Sequence, residues 1–194
     1  MARRQLLKRS KKPVAPPAPP PEPPRPDPAG LTVVVYPDPV LKRRGRDVPV
    51  VDDYVRGVAA RMKQLMEAHE GVGLAAPQVG LSLRLFVFAA TGKAADAQAL
   101  INPRLSQQQG EEGCLSLPDI RGNILRYKSV HLDALDEQGR PVSLDLADYP
   151  ARIAQHEYDH LDGILITDRM SPVARLSVRR QLRALEAKSG AKSR

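Results

Sequence analysis

The sequence predicts an α+β fold, in which antiparallel or mixed strands surround a central helix and a further helix follows at the C-terminal end. Three observations predict it: short runs in which apolar residues alternate, an apolar stripe of helical period early in the chain, and the segment QHEYDH at residues 155–160. No apolar run approaches the roughly 20 residues of a membrane span. The 194-residue chain is long enough for one sizeable core.

Residues 1–30 form a basic, proline-rich extension, with ten prolines between Pro13 and Pro28. Such a segment cannot build a core, and we expect a disordered or polyproline spacer. The composition becomes that of a folded domain near Leu31. We therefore predict a spacer at residues 1–30, one folded domain at residues 31–172 and a basic helix and tail at residues 173–194.

A first helix is predicted after Asp52 or Asp53, either of which can cap it, and before Gly71. Its apolar stripe comprises Val55, Ala59, Met62 and Met66. This spacing keeps one apolar face on a helix of 3.6 residues per turn. The methionines are therefore expected in the core.

Alternation predicts the strands that follow. The first run alternates the apolar Leu83, Leu85 and Val87 with Ser82, Arg84 and Phe86. A hairpin is predicted from Val130, Leu132 and Ala134 paired with Val142, Leu144 and Leu146. Gln138-Gly139 supplies its turn, and Ser171-Pro172 predicts the start of the last helix.

The QHEYDH segment predicts a metal site. If residues 151–161 are helical, His156 and His160 lie one turn apart on one face, so both imidazoles can bind the same cation. Glu157 then points beside the metal, where a carboxylate suits a general base acting on metal-bound water. Cys114, the single cysteine, is the candidate third ligand. A thiolate and two neutral imidazoles leave one position open for water and substrate.

Three segments together resemble one known family. Residues 71–78 read GVGLAAPQ, residues 112–116 read EGCLS, and QHEYDH follows. These resemble the peptide deformylase signatures GxGxAAxQ, EGCLS and HExDH, and the resemblance covers about residues 31–172. It implies a metal-dependent hydrolase of protein biosynthesis, which removes the formyl group from the N-terminal formylmethionine of nascent polypeptides and releases formate. It also implies ferrous iron as the usual metal, with zinc, nickel or cobalt as alternatives.

The resemblance assigns roles to the residues that match the motifs. The implied metal ligands are Cys114, His156 and His160. Glu157 resembles the general base. The side-chain amide of Gln78 and the backbone N–H of Leu115 are implied to point at the formyl oxygen, where negative charge develops. Such donors typically contribute on the order of a hundredfold or more in rate.

A second group of residues is implied to bind substrate: Gly71, Val72, Gly73, Arg121, Tyr149 and Ile153. Glycine suits a backbone that approaches a substrate closely or that takes a positive φ after a helix, although Gly71 also suits an ordinary helix stop. Arg121 resembles an arginine that contacts the substrate backbone. Tyr149-Pro150 departs from the two aliphatic residues that many relatives carry in the pocket for the methionine side chain.

The whole chain has a net charge of +8. Its basic residues are concentrated at the two ends of the sequence. The last predicted helix carries Arg175, Arg179, Arg180 and Arg183 mostly off its apolar stripe. The resemblance implies that this helix contacts the ribosome, with a merely solvated helix as the alternative. The single cysteine agrees with a reducing compartment, and we expect a bacterial cytoplasmic protein. An organellar presequence is the rival interpretation, because no acidic residue precedes Glu22.

Two other functions fit parts of the sequence. A metallopeptidase uses the same His-Glu-x-x-His chemistry, but it normally takes its third ligand downstream of the motif, whereas the cysteine here lies upstream. A catalytically silent, ribosome-associated metal scaffold would be expected to lack the base or the oxyanion donor. Both Glu157 and Gln78 are present.

Overall fold

A five-stranded antiparallel sheet forms the centre of the computed structural model, which describes residues 25–106, 112–113, 121–122, 124 and 126–192. In chain order the strands are β1 Gly73–Ala75, β2 Leu85–Phe88, β3 Gln98–Ser106, β4 Glu112–Gly113, β5 Arg121–Gly122, β6 Ser129–Leu135 and β7 Pro141–Ala147. The order across the large sheet is β1-β2-β3-β6-β7, and β4 pairs with β5 separately. With the helices described below, this arrangement confirms the predicted α+β class.

The two longest helices of the domain pack on opposite faces of this sheet. Helix α1, Asp53–Ala68, shares an apolar cluster with Leu85 and Val87 of β2. Helix α2, Asp148–Leu161, shares another cluster with Phe86 and Phe88 of the same strand. Successive side chains of a strand point to opposite faces, so β2 is buried on both. Phe86, which the alternation placed on the polar face, is therefore buried, because a second helix covers that face.

The ends of α1 follow from local chemistry. The Asp52 carboxylate accepts a hydrogen bond from the N–H of Val55 at 3.0 Å, and this cap confirms the predicted start. At the other end the N–H of Gly71 donates to the carbonyl of Met66 at 2.8 Å, as in a Schellman motif. The positive φ of that motif, 53°, belongs to Glu70. Gly71 thus lies just past the helix, as predicted, but it does not take the left-handed conformation.

The predicted hairpin is confirmed in register. Val130, Leu132 and Ala134 of β6 lie opposite Leu146, Leu144 and Val142 of β7, respectively. Its turn passes through Gly139, whose φ of 77° requires a residue tolerant of the left-handed region. β7 is the edge strand of the sheet. The hairpin therefore extends the sheet and leads directly into α2.

The alternation of apolar and polar residues predicted a polar, exposed face for Arg84, and this prediction is wrong, because the side chain is buried. Its side chain is 2% exposed and donates from Nη1 to Oδ1 of Asp162 at 2.6 Å. The guanidinium also lies over the ring of Tyr158, 4.9 Å from its centroid. Arg84 therefore ties the start of β2 to the C-terminal end of α2.

Part of the predicted N-terminal spacer packs on the domain. Pro28–Gly30 form a 3₁₀ turn against α1, where Pro28 contacts Gly57. Arg25 forms an ion pair with Asp52 and lies 5.0 Å from the ring centroid of Tyr54. The predicted boundary at residue 30 thus falls inside a packed segment. Residues 1–24 of the spacer lie outside the described residues.

The C-terminal region contains three helices, α3 Ile166–Arg169, α4 Pro172–Ser177 and α5 Arg179–Lys192. The single helix predicted after Ser171 is thus divided near Val178, which is buried. Val178, Leu182 and Leu185 pack on a cluster that includes Tyr36, whose hydroxyl donates to Glu186 at 2.6 Å. None of the helices in the described part of the chain combines the length and apolar character needed to cross a lipid bilayer.

Candidate active site

Helix α2 is unusual because it buries polar side chains along with apolar ones. Ile153, Ala154 and Leu161 pack against the sheet. The buried polar residues are Gln155, His156, Glu157, Asp159 and His160. A buried polar group is costly unless something binds it, so a helix of this composition needs specific partners.

Gln155 and Asp159 have such partners. Gln155 both donates to and accepts from the backbone of Tyr127, each at 2.9 Å, and this pair ties a neighbouring extended segment to α2. Asp159 accepts from Nη1 of Arg126 at 2.7 Å and also binds Arg169. Removing one partner of a buried ion pair typically costs about 3–5 kcal/mol. Asp159 is therefore held as a structural carboxylate by two arginines.

His156 and His160 converge as the sequence predicts. Their Nε2 atoms lie 3.2 Å apart, and their ring planes are inclined by 84°. Two nitrogens bound to one tetrahedral ion, each at the usual length, would lie about 3.3 Å apart. Burial, His156 and Arg126 together hold the pKa of His160 well below its usual range. A neutral imidazole keeps the lone pair that a metal needs, so the histidines fit a divalent cation.

Glu157 lies directly against β1, at Gly73. A Cβ atom placed on Gly73 would lie only 2.3 Å from Oε1 of Glu157, a separation that real Cβ atoms do not show. Glu157 is 3% exposed. Gly73 therefore makes room for the carboxylate, a contact that sequence reasoning did not identify.

Gln78 enters the same region from the 3₁₀ turn Ala76–Val79, which follows β1 and packs against α2. Its side-chain oxygen accepts from the N–H of Ala75 at 2.7 Å, and the side chain is 1% exposed. This hydrogen bond distinguishes the two ends of the amide and turns its nitrogen, the donor end, away from Ala75. The short segment from Gly73 to Gln78 thus supplies both the space for Glu157 and an oriented amide.

The residues predicted to bind substrate differ in burial. Val72 and Ile153 belong to the apolar cluster between α2 and the sheet, and Ile153 is 4% exposed. Tyr149 is 48% exposed in the first turn of α2. Arg121 pairs through its backbone with Gly113, but its side chain lies outside the described atoms.

The cysteine motif is only partly described. Strand β4 ends at Gly113, and the next two residues, Cys114 and Leu115, fall outside the described part of the chain. Among the residues that the structure does describe, no group of three histidine, cysteine or acidic side chains could hold a metal ion. The third ligand and the second oxyanion donor therefore stay predictions.

Sequence reasoning did not identify the contacts that connect distant parts of the chain around α2. Arg126 precedes Asp159 by 33 residues, and Arg84 precedes Asp162 by 78. Neither spacing corresponds to a helix or strand period. An arginine among apolar neighbours in the sequence can suggest a buried ion pair, but it does not predict which carboxylate is the partner.

Comparison with known proteins agrees with this geometry. The family model described as "Polypeptide deformylase" matches residues 31–176. The chain is 39% identical over 165 residues to peptide deformylase 1B, chloroplastic/mitochondrial, of Arabidopsis thaliana, covering 81% of this chain but 60% of the relative. It is 42% identical over 153 residues to a peptide deformylase of Thermotoga sp. (strain RQ2), covering 76% of this chain and 92% of the relative.

A solved structure of a peptide deformylase also matches this chain. The crystal structure of a plant peptide deformylase superposes with a TM-score of 0.79 at 39% sequence identity, covering 84% of this chain and 92% of that one. The chain thus spans only about three fifths of the plant sequences it matches, but nearly all of the solved plant structure. The residues that match the family model include the whole described sheet, α2 and both histidines. The chain belongs to the polypeptide deformylase family.

Proposed function

We propose that the protein hydrolyses the N-formyl group from the N-terminal formylmethionine of nascent polypeptides and releases formate. The observation that supports this most directly is the 3.2 Å approach of the two histidine Nε2 atoms, with Glu157 packed beside them on β1. Membership of the deformylase family supports the substrate class. Together they favour hydrolysis of a formyl amide over the metallopeptidase and the silent scaffold.

Deformylases are metal-dependent, and His156, His160 and Cys114 are the proposed ligands here. When bound, the cation supplies Lewis acidity, which polarises the formyl carbonyl and lowers the pKa of a water molecule. We propose Fe²⁺ as the native ion, ahead of Zn²⁺, Ni²⁺ or Co²⁺, because of the resemblance in all three motifs. A thiolate ligand also donates more charge than a third imidazole would, which suits a site tuned by ligand basicity.

Glu157 is the proposed general base. Its carboxylate accepts a proton from the attacking water and later delivers that proton to the amine that leaves. Both transfers require the carboxylate to stay in one place. Gly73 contributes by leaving room for the carboxylate against β1, where a Cβ atom would overlap it.

Gln78 and Leu115 are the proposed donors to the formyl oxygen as negative charge develops on it. The N–H of Ala75 already binds the oxygen of the Gln78 amide, so the amide nitrogen is the end that can donate. Because the amide is oriented before the substrate arrives, no free energy is spent on reorienting it during the reaction. Loss of one such donor typically slows turnover by about a hundredfold or more.

Substrate binding is proposed for the segment 71–73, for Arg121 and for the start of α2. Val72 and Ile153 lie in one apolar cluster, which suits the methionine side chain. Tyr149 is half exposed at the N-terminal end of the same helix, where it can border the entrance. The backbone of Gly71 and the side chain of Arg121 are proposed to contact the peptide main chain.

The last helix is the proposed ribosome contact. Val178, Leu182 and Leu185 pack inward on the domain. Arg175 of α4 and Arg179, Arg180 and Arg183 of α5 are exposed. A helix with this distribution can dock on polyanion without losing its own packing. Residues 31–172 are the proposed catalytic domain, on which residues 25–30 also pack, and residues 173–194 are the proposed docking element.

The comparisons include both bacterial enzymes and plant proteins named for chloroplasts or mitochondria. We propose the bacterial cytoplasm as the location, because the basic N-terminal segment has many prolines and one serine, unlike the Ser-rich, amphipathic presequences of organelles. An organellar protein is the alternative.

Formate release from a short formyl-Met peptide tests the proposed reaction. Protein prepared anaerobically with Fe²⁺ should release formate, and chelator-treated protein should not, until metal is restored. Aeration should inactivate the iron form, because the proposed reaction needs both the ferrous ion and the unoxidised Cys114 thiolate. Metal-loaded protein that releases no formate would contradict the reaction, whereas iron protein that stays fully active after long aeration would contradict only the choice of iron.

Gly73→Ala tests the contact between β1 and the base. The added methyl group would overlap the carboxylate, so Glu157 must move, and we expect kcat to fall by about a hundredfold. Metal content should stay at the wild-type level, since neither proposed histidine ligand is displaced. Gly30→Ala, where an added Cβ atom meets nothing within 4 Å and the backbone does not take a positive φ, is the control for a glycine substitution. Wild-type kcat in Gly73→Ala would show that the carboxylate position does not matter.

Cosedimentation with ribosomes tests the docking helix without removing it. The test variant reverses three exposed charges, Arg179→Glu, Arg180→Glu and Arg183→Glu. Binding should fall by about tenfold or more at 0.15 M salt, with a shallower dependence on salt concentration. A matched control reverses exposed charges elsewhere, Arg43→Glu, Arg56→Glu and Lys93→Glu. Equal, salt-independent binding of both variants would contradict the proposed contact.

A further inference from the structure

The return segment, residues 121–127, follows the cysteine motif and is attached directly to the helix that carries the histidines. Gln155 binds both backbone groups of Tyr127. Arg126, the preceding residue, donates from Nη1 to Oδ2 of Asp159 at 2.7 Å. Gln155 and Asp159 lie four residues apart, so these two attachments follow one face of α2 over about one turn. Ile124 is also buried, in the apolar cluster of the C-terminal helices.

The other end of the return segment leads to the cysteine. Arg121 of β5 lies opposite Gly113 of β4, and Cys114 is the next residue in the sequence. Only four residues separate Arg121 from Arg126. A short stretch of chain thus connects the cysteine motif to a fixed point on α2.

The proposed third ligand depends on such a connection more than the first two do. His156 and His160 belong to one helix, whose one-turn spacing brings their Nε2 atoms to 3.2 Å. Cys114 belongs to a different segment, so its distance from the histidines depends on how that segment is attached to the helix. The groups that bind a metal must be held within roughly 0.5 Å of their productive positions. Loss of an outer residue that holds a ligand typically costs about ten- to a hundredfold in metal affinity.

Asp159 has two arginine partners, which come from different parts of the chain. Arg126 is 5% exposed and belongs to the return segment, whereas Arg169 is 46% exposed and ends α3. Arg169 donates to both oxygens of the carboxylate, at 2.5 and 3.0 Å. It therefore still neutralises Asp159 when Arg126 is replaced. The effect that Arg126 does not share with Arg169 is the attachment of the return segment to α2.

We propose that Arg126 is a positioning residue, which holds the return segment against α2 through Asp159 and thereby sets where Cys114 meets the metal. The inference rests on the ligand set of the proposed function. It adds a residue that none of the three sequence motifs contains, and it assigns that residue an effect on metal affinity as well as on stability.

Cobalt substitution tests the position of Cys114 without turnover. A thiolate bound to Co²⁺ gives a charge-transfer absorption band in the near ultraviolet, which imidazole ligands do not give. The wild-type protein should show this band, and Cys114→Ser should lack it. In Arg126→Met the band per bound ion should weaken, and the Kd for Co²⁺ should rise about ten- to a hundredfold. Arg126→Lys, which keeps a donor for Asp159, should give an intermediate result.

Arg169→Met is the matched control, because it removes the other arginine from the same carboxylate and leaves the return segment attached. Its absorption band and its Kd for Co²⁺ should stay close to those of the wild type. Gln155→Met releases the second attachment, at Tyr127, and should weaken the band in the same direction as Arg126→Met, so the test does not depend on one variant folding. Thermal unfolding of each variant is measured alongside.

The outcomes are separate from those for the deformylase reaction, because no substrate is present. An unchanged band and an unchanged Kd in Arg126→Met would overturn the inference. Equal losses in Arg126→Met and Arg169→Met would also overturn it, because they would assign the effect to Asp159 and not to the return segment. A wild-type protein without the band would contradict Cys114 as a ligand, and the inference with it. Cobalt protein that shows the expected pattern but releases no formate would contradict only the reaction.

Discussion

The close packing of α2 against β1 is the constraint on which the candidate site depends. The helix approaches the strand so closely that residue 73 has no room for a side chain, and the carboxylate of Glu157 occupies that space. The same approach brings the turn that carries Gln78 next to the helix. The proposed base and the proposed oxyanion donor are therefore positioned by one contact between two elements, and not by a flexible loop.

That packing requires a polar helix to be buried, and long-range contacts make this possible. Arg126 and Arg169 bind Asp159, the backbone of Tyr127 binds Gln155, and Arg84 binds Asp162 just beyond the helix. Gly163 ends the helix with a φ of 72° at a point where a Cβ atom would lie 2.6 Å from the carbonyl oxygen of Lys42. With both its sides and its end held in this way, α2 keeps the two histidines in a geometry that fits one ion.

Periodic features of the fold could be predicted from the sequence, because helices and strands repeat locally. The stripe of α1, the register of the β6–β7 hairpin and the one-turn spacing of His156 and His160 follow from such periods. Features that depend on distant partners could not. The burial of Arg84 results from a helix covering the second face of β2, and the packing of Arg25 on Tyr54 extends the structure into the predicted spacer.

Metal content and turnover, measured side by side in Glu157→Gln, test the central claim most directly. The substitution keeps the shape that fits against Gly73 but removes the basic oxygen. If Glu157 is the base, metal content should equal that of the wild type while kcat falls by about a hundredfold or more. Wild-type turnover in the variant would contradict the role of Glu157 as base. Loss of the metal would instead make Glu157 part of the ion's binding site, which contradicts the proposed ligand set.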